Sequence, residues 1–231
     1  MKRKIITTSD GSKTIQIEDW NEQYHSIHGA LQEANHVFIK HGLLFFLESC
    51  HPEFVSGSHP VSIIEIGFGT GLNAFLTFLK AEELQQSINY NGVEAYPVKT
   101  EEIQQLNYVE LISENHKVEF EKIHAVNWEE QHGITPNFKL KKQQNFFKDI
   151  TAENEFDIVY FDAFGARVQP ELWTEDIFKI MYNAMKDNGV LVTYSAKGSV
   201  RRAMQAVGFI VERLPGPPGK REMLRAQKKK S

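Results

Sequence analysis

Hydrophobic and polar positions follow two alternating periods along most of this chain of 231 residues. Near the N-terminus, Ile5-Ile6-Thr7-Thr8 and Thr14-Ile15-Gln16-Ile17 flank Asp10-Gly11, the signal for a β-hairpin. Tyr24 to Leu47 then reads as helical, with Ile27, Leu31, Val37 and Phe38 at core positions and His41-Gly42 as a break. From Val61 onward strand-like and helix-like stretches take turns. Strands are expected at Val61 to Ile66, Asn89 to Glu94, Phe138 to Gln144, Phe156 to Phe161, Val190 to Tyr194 and Phe209 to Arg213; helices at Leu72 to Leu84, Val98 to Leu106, Glu171 to Met185 and Ser199 to Val207. Such alternation predicts a mostly parallel sheet with helices on both faces. Asp157-Ile158-Val159-Tyr160-Phe161 is apolar on both faces, as a central parallel strand requires. The stretch from His124 to Thr151 shows no clear period. At the end, Pro215-Gly216-Pro217-Pro218-Gly219 is too short for a helical crossover, so Arg221 to Ala226 must return antiparallel. The pattern therefore divides into a small appendage of hairpin and helix (1–58), an α/β unit (59–227) and a basic tail (228–231).

Chemistry enters at the turn after the first parallel strand. Glu65-Ile66-Gly67-Phe68-Gly69-Thr70-Gly71-Leu72-Asn73 links that strand to a helix start, and its glycines let the backbone turn tightly and a bulky ligand approach the peptide itself. Glu94, at the end of the next strand, is placed to accept hydrogen bonds from ribose hydroxyls. The spacing is G-x-G-x-G, not the G-x-G-x-x-G of dinucleotide sites. Glu65 would repel a pyrophosphate and attract the ammonium and sulfonium of S-adenosylmethionine (AdoMet). The candidate cofactor is thus AdoMet, with Glu65, Gly67, Gly69, Gly71, Asn73, Glu94 and Asp162 as its binding residues; the alternative is a glycine-rich connection that binds nothing. Asp162 ends the central strand across the same crevice and is either a loop-bracing carboxylate or a site residue, the latter favoured by its company. An antiparallel C-terminal hairpin on a parallel sheet also suits a Rossmann-like class I methyltransferase fold.

Bulk properties narrow the setting. With 41% hydrophobic and 24% charged residues the chain has an ordinary globular composition. No apolar run approaches the ~20 residues that span a bilayer; Leu43 to Leu47 is too short and is bounded by Gly42 and Glu48. Met1 to Thr7 has charge but no following apolar stretch, so a cytoplasmic location and no membrane partner are expected. A single cysteine, Cys50, excludes an internal disulfide, and His25 with His28 lacks the further ligands a metal site needs. The net charge of −4 hides an asymmetry: between Lys197 and Ser231 ten Lys or Arg residues face two acids, a candidate phosphate-binding face on an acidic body. Lys228-Lys229-Lys230 alone reads as a loose solubilising tail.

Four segments together resemble the tRNA 5-methylaminomethyl-2-thiouridine methyltransferases, the family of the methyltransferase half of MnmC and its stand-alone relatives, MnmD. They are Tyr24-His25-Ser26 through Gly29-Ala30 with Glu33 and His36-Val37-Phe38-Ile39; the turn Glu65 to Asn73; Asp162-Ala163-Phe164 with Pro170-Glu171-Leu172-Trp173-Thr174; and Gly198-Ser199-Val200-Arg201-Arg202 with Ala206 to Phe209 and Gly219-Lys220-Arg221-Glu222-Met223-Leu224. Two positions depart from the family pattern: Ala166 stands where proline is common, and the residue that holds the adenine amine has no clean match, leaving Asn145 or Asp149 as substitutes.

The resemblance implies methyl transfer from AdoMet to the aminomethyl nitrogen on the wobble uridine in a tRNA anticodon loop. Asp162 and Phe164 are then the catalytic candidates, Asp162 orienting the amine or accepting its proton. Phe164, Trp173 and Tyr194 either stack on a base or belong to the core. Arg201, Arg202, Lys220 and Arg221 would hold anticodon phosphates. With the chain stopping at Ser231, the resemblance implies either a separate enzyme that supplies the amine or a substrate that arrives already as aminomethyluridine. The alternatives are a methyltransferase for a small molecule or protein, an aminopropyltransferase, disfavoured because Gly165 stands where a second aspartate is wanted, and a non-catalytic AdoMet-binding module.

Overall fold

In the computed structural model, which describes residues 2–50 and 59–229, the hairpin forms as expected. Strands β1 (Arg3–Thr7) and β2 (Lys13–Ile17) pair antiparallel, and the short β3 (Glu22–Gln23) adds to β2. The turn does more than reverse the chain. Asp10 Oδ1 accepts from Thr8 Oγ1 at 2.7 Å and Ser12 Oγ at 2.6 Å, while Oδ2 accepts from the backbone of Leu31 at 3.0 Å and Gln32 at 3.2 Å. These last two are free N–H groups at the start of helix α1 (Ala30–Ala34), so a turn residue caps a helix distant in sequence. Helix α1 begins at Ala30 and not Tyr24, because Gly29 has φ +140° and lies against Asp10; residues 24–29 are irregular. The helical path then continues in widened π turns through Asn35–Leu44 and Phe46–Cys50. Gly42 does not break it. The absent side chain lets the helix pack on Tyr160 and Val192, either of which an added Cβ would meet at 3.0 Å.

The main sheet begins with β4 (Val61–Ile66), followed by α2 (Leu72–Leu84) and β5 (Ile88–Val93). Three short helices come next: α3 (Thr100–Ile103), shorter than its expected span, α4 (Tyr108–Ile112) and α5 (Lys117–Ala125). The stretch without a clear period contains the end of α5, β6 (Gln131–Gly133) and β7 (Phe138–Gln143), an antiparallel pair at the sheet edge. Strand β8 (Phe156–Phe161) is buried at every position. A 3-10 turn, Pro170–Trp173, precedes α6 (Glu175–Ala184), because Thr174 caps a new helix start by accepting from Ile177 N at 3.5 Å. Strand β9 (Met185–Thr193) starts before the expected Val190, with an irregular register against β8. Then come α7 (Gly198–Ala206), β10 (Ile210–Pro215) and β11 (Glu222–Gln227).

The strand order is β10-β11-β9-β8-β4-β5-β7-β6. Strands β7, β5, β4, β8 and β9 are parallel neighbours, whereas β11 runs antiparallel to both β9 and β10. One face of the sheet packs on α1, α2 and their continuations through Phe38, Phe75, Phe78 and Tyr160; the other packs on α6 and α7 through Phe161, Phe178, Met181 and Met204. Ile15, Val37 and Phe38 of the N-terminal part share a core with Ile63, Phe75 and Tyr90. The expected boundary at residue 58 falls outside the described residues. The tail needs correction: Lys228 is buried, its backbone pairs with Gly189, and its Nζ donates to Met185 O at 2.6 Å and Asn154 Oδ1 at 2.9 Å. Lys230 and Ser231 lie outside the described residues. No described helix is long and apolar enough to cross a membrane.

Candidate active site

Chain order along the sheet reverses beside β4, where β5 departs to one side and β8 lies on the other, and such a switch point leaves a crevice at the strands' C-terminal ends. A cavity of about 660 Å³ opens there. Its floor carries Glu65 from β4, Gly67 and Gly69 from the turn, Glu94 after β5, and Asp162 after β8. The turn is tied down by its own amides: Gly67 N and Phe68 N both donate to Val93 O, at 3.0 and 3.1 Å, and Gly69 N donates to Glu94 Oε2 at 3.1 Å. Gly67 has φ +94°, and an added Cβ would lie 2.7 Å from the carbonyl oxygen of Asp162, so this glycine lets β4 and β8 close on each other. Gly71, expected at the cofactor, does not line the cavity; its missing side chain makes room for His124, which a Cβ would meet at 2.8 Å.

The acids form a connected set. Asn73 Nδ2 donates to Glu65 Oε1 at 2.8 Å and to Asp162 Oδ2 at 2.9 Å, and Tyr90 OH donates to Glu65 Oε2 at 2.8 Å. Asn73 Oδ1 is buried with no protein partner. Burial pushes the Glu65 carboxyl well above the ordinary carboxylate range, against the hydrogen bond from Asn73. Burial also raises Glu94, although Tyr96 N and Gly69 N donate to it. Asp162 is pushed up to about 7, first by burial and then by the nearby charge of Glu33, with Asn73 and Lys220 opposing. Because its folded value exceeds the ordinary 3.8, the folded chain holds a proton the unfolded chain releases, and this contribution to stability is lost as pH rises from 3.8 through about 7. Asp162→Asn removes the penalty. Its Tm is expected to exceed the wild-type value at pH 8, the gap narrowing as pH falls, in thermal melts across that range.

The loop after Asp162 is pinned from three directions. Tyr194 OH donates to Ala163 O at 2.8 Å, Trp173 Nε1 donates to Phe164 O at 2.8 Å, and Arg167 Nη2 reaches Trp20 O, Asn21 O and Glu22 Oε2 at 3.2, 3.1 and 2.8 Å. Arg167 thus fastens this loop to the N-terminal sheet. Phe164 lines the cavity, edge-on to Trp20 and Tyr24, and Tyr194 lines it as well. Trp173 does not: it is buried among Phe161, Phe178 and Tyr194 and acts through the loop carbonyl it holds.

The basic residues separate into two groups. Arg201 and Arg202 on α7, and Arg221 with its side chain 90% exposed beside Glu222, do not line the cavity. Lys220 does, yet it points inward, ion-paired with Glu33. The cavity's other wall comes from the N-terminal part: Tyr24, His25, Ser26, His28 and Glu33. Glu33 Oε2 accepts from Ser26 N at 3.0 Å. His25, bonded to Thr14 Oγ1 at 3.0 Å, is pushed down to about 4 by burial and is neutral. None of these was singled out as a site residue from sequence, although Tyr24-His25-Ser26 and Glu33 belong to the segments carrying the family resemblance. Asn145 and Asp149 do not line the cavity, whereas Phe146, Phe147 and Lys148 between them do.

The site suits AdoMet on three counts. Its volume is that of a typical ligand cleft; its acids match a cationic ligand; and Asn73 Oδ1 offers an unpartnered acceptor for an ammonium. Residues 105–229 match the model of a family of S-adenosyl-L-methionine-dependent methyltransferases, and the chain belongs to that family. AdoMet is accordingly its cofactor. Among curated relatives, the tRNA 5-methylaminomethyl-2-thiouridine biosynthesis bifunctional protein MnmC of Hydrogenovibrio crunogenus is 27% identical over 235 residues, covering 96% of this chain and 33% of the relative. The protein of the same name from Ralstonia nicotianae is 26% identical, covering 88% and 31%. The chain thus spans about a third of the length of these relatives. The crystal structure of MNMC2 from Aquifex aeolicus superposes with a TM-score of 0.79 at 25% identity, over 100% of this chain and 71% of that one. Spermidine synthase from Thermotoga maritima, at 14% identity and a TM-score of 0.51 over 97% and 72%, shares the fold.

Proposed function

We propose that the chain methylates the exocyclic aminomethyl nitrogen of the modified wobble uridine, 5-aminomethyl-2-thiouridine, in a tRNA anticodon loop. The observation that carries this is the placement of Asp162, buried on the cleft floor beside the cofactor turn and opposite an N-terminal wall that holds Glu33, where a carboxylate can orient an amine and take its proton. The names borne by the MnmC relatives supply the substrate class.

Glu94 would hold the ribose hydroxyls with the lone pairs left after Gly69 N and Tyr96 N. Glu65 and Asn73, with Gly67 and Gly69, would hold the amino acid end. Bound there, AdoMet supplies a methyl group on a positively charged sulfur. Asp162 orients the acceptor nitrogen and takes its proton, and its value of about 7 suits proton acceptance near neutrality. Phe164 and Tyr194 shield the acceptor from water and offer faces to the uracil. Arg201, Arg202 and Arg221, outside the cleft, would follow the RNA backbone. A protein of this chemistry works in the cytoplasm, where tRNA is matured.

The aminopropyltransferase alternative has only the shared fold behind it. Where a second carboxylate is wanted, Gly165 faces the Tyr194 hydroxyl. Incubation with isotopically labelled AdoMet and tRNA bearing 5-aminomethyl-2-thiouridine, then nucleoside mass spectrometry, is expected to show one labelled methyl on that nucleoside. No label in the wobble nucleoside would sink the assignment.

A further inference from the structure

Lys220 leaves the β10–β11 turn toward the cleft. The turn fixes that direction: Gly219 has φ +82° and lies so close to His28 that an added Cβ would be 2.2 Å from its ring. The Lys220 ammonium is paired with Glu33 Oε1 and sits 3.8 Å from the centroid of the Tyr194 ring, whose face attracts a cation. Both supports are anchored by hydrogen bonds. Glu33, with a side chain 9% exposed, is on α1 and is held by Ser26 N; Tyr194 follows β9 and is anchored through its hydroxyl to Ala163 O, next to Asp162. A phosphate anchor would turn outward and unpaired. This lysine is turned inward and fixed.

Taking the proposed amine methylation as given, we propose that Lys220 is a positioning residue that keeps the acceptor amine neutral: its ammonium cancels Glu33 and repels a second cation beside Asp162. Without it, Glu33 and Asp162 would share a pocket with an alkylamine and favour its charged form, which has no lone pair to donate. With it, Asp162 is left as the proton acceptor. The other titratable or charged groups lining the cleft are Glu22, Tyr24, His25, His28, Glu65 and Tyr194, with Arg3, Glu94, Tyr96, Lys148 and Glu171. His25 is neutral, and burial holds the Tyr194 hydroxyl protonated.

The proton balance closes. The substrate ammonium gives one proton to Asp162. The freed lone pair forms the N–CH3 bond as the C–S bond breaks, its electron pair staying on sulfur. The product leaves as a secondary ammonium, and Asp162 returns its proton to water.

The test is the pH profile of kcat on tRNA bearing 5-aminomethyl-2-thiouridine, with KM measured alongside, for the wild type, Lys220→Met, Lys220→Arg and Glu33→Gln. Removing one like charge should move the lower limb of the Lys220→Met profile up by about one pH unit, about a tenfold loss below it, with KM little changed. Lys220→Arg should stay near the wild-type profile. Glu33→Gln, which leaves the lysine uncompensated, should move the limb the other way, and this opposite shift is readable even if Lys220→Met fails to fold. A loss uniform in pH, or a raised KM at unchanged kcat, would overturn the inference alone. A wild-type chain inert on this tRNA would overturn the proposed function and the inference together.

Discussion

Asp162→Asn is expected to lower kcat by about a hundredfold to ten-thousandfold, the range typical for removing a general base, while calorimetric affinity for AdoMet changes little. The geometry separates the two quantities. Asp162 Oδ2 is engaged with Asn73, and an asparagine can still accept that hydrogen bond, so the link between the central strand and α2 survives. What is lost is the capacity to take a proton. In the wild type kcat should rise as pH passes through about 7, where Asp162 becomes a carboxylate, and the rise should be absent in the variant. Equal losses in turnover and AdoMet affinity would assign Asp162 to cofactor binding alone. The same substitution is the one expected to raise Tm above neutral pH, so lost activity with gained stability would mark a group kept in place for chemistry against its own burial cost.

Gly67→Ala should be the most disruptive single methyl in the turn. The position needs φ +94°, which costs an L-residue about 1–3 kcal/mol, and the new Cβ meets the backbone of Asp162, not a movable side-chain end. Asp162 N donates to Ile66 O at 2.9 Å, so the contact cannot open without breaking a link between neighbouring strands. A fall in Tm of roughly 5–15 °C is expected for a chain of this size, together with a loss of AdoMet affinity in titration. Gly133→Ala is the control, since its added Cβ meets nothing nearer than Thr135 O at 4.0 Å. Similar melts for the two variants would show that the turn tolerates widening.

Sequence patterning read the sheet well and the cleft by halves. Helix α2 and the final antiparallel pairing appear where expected, because an unbroken apolar period and a short Pro-Gly turn each leave a single packing solution. Glycine proved harder to interpret. Gly42 looked like a stop and is a contact surface; Gly71 looked like a ligand contact and makes room for His124. A glycine records that space is needed without recording what fills it. The carboxylates on the floor were legible because each ends a strand, a position the topology turns into a site. Glu33 and His25 were not, since their place in the cleft depends on how the N-terminal part docks, and that docking rests on pairs far apart in sequence: Arg167 with Glu22, Arg3 with Glu102, and Asp10 with the start of α1. The lysine at 220 was read by its charge, whereas its direction is set by Gly219 and by a partner 187 residues away.

The clasp between Arg167 and the carbonyls of Trp20 and Asn21 also sets a schedule for a ribosome-borne chain. The N-terminal hairpin leaves the ribosome first, yet the loop that fastens it is made only after the central strand. A nascent polypeptide can therefore have its glycine turn synthesised while the opposite side is still unlatched, and competence to retain the methyl donor should arise late in translation.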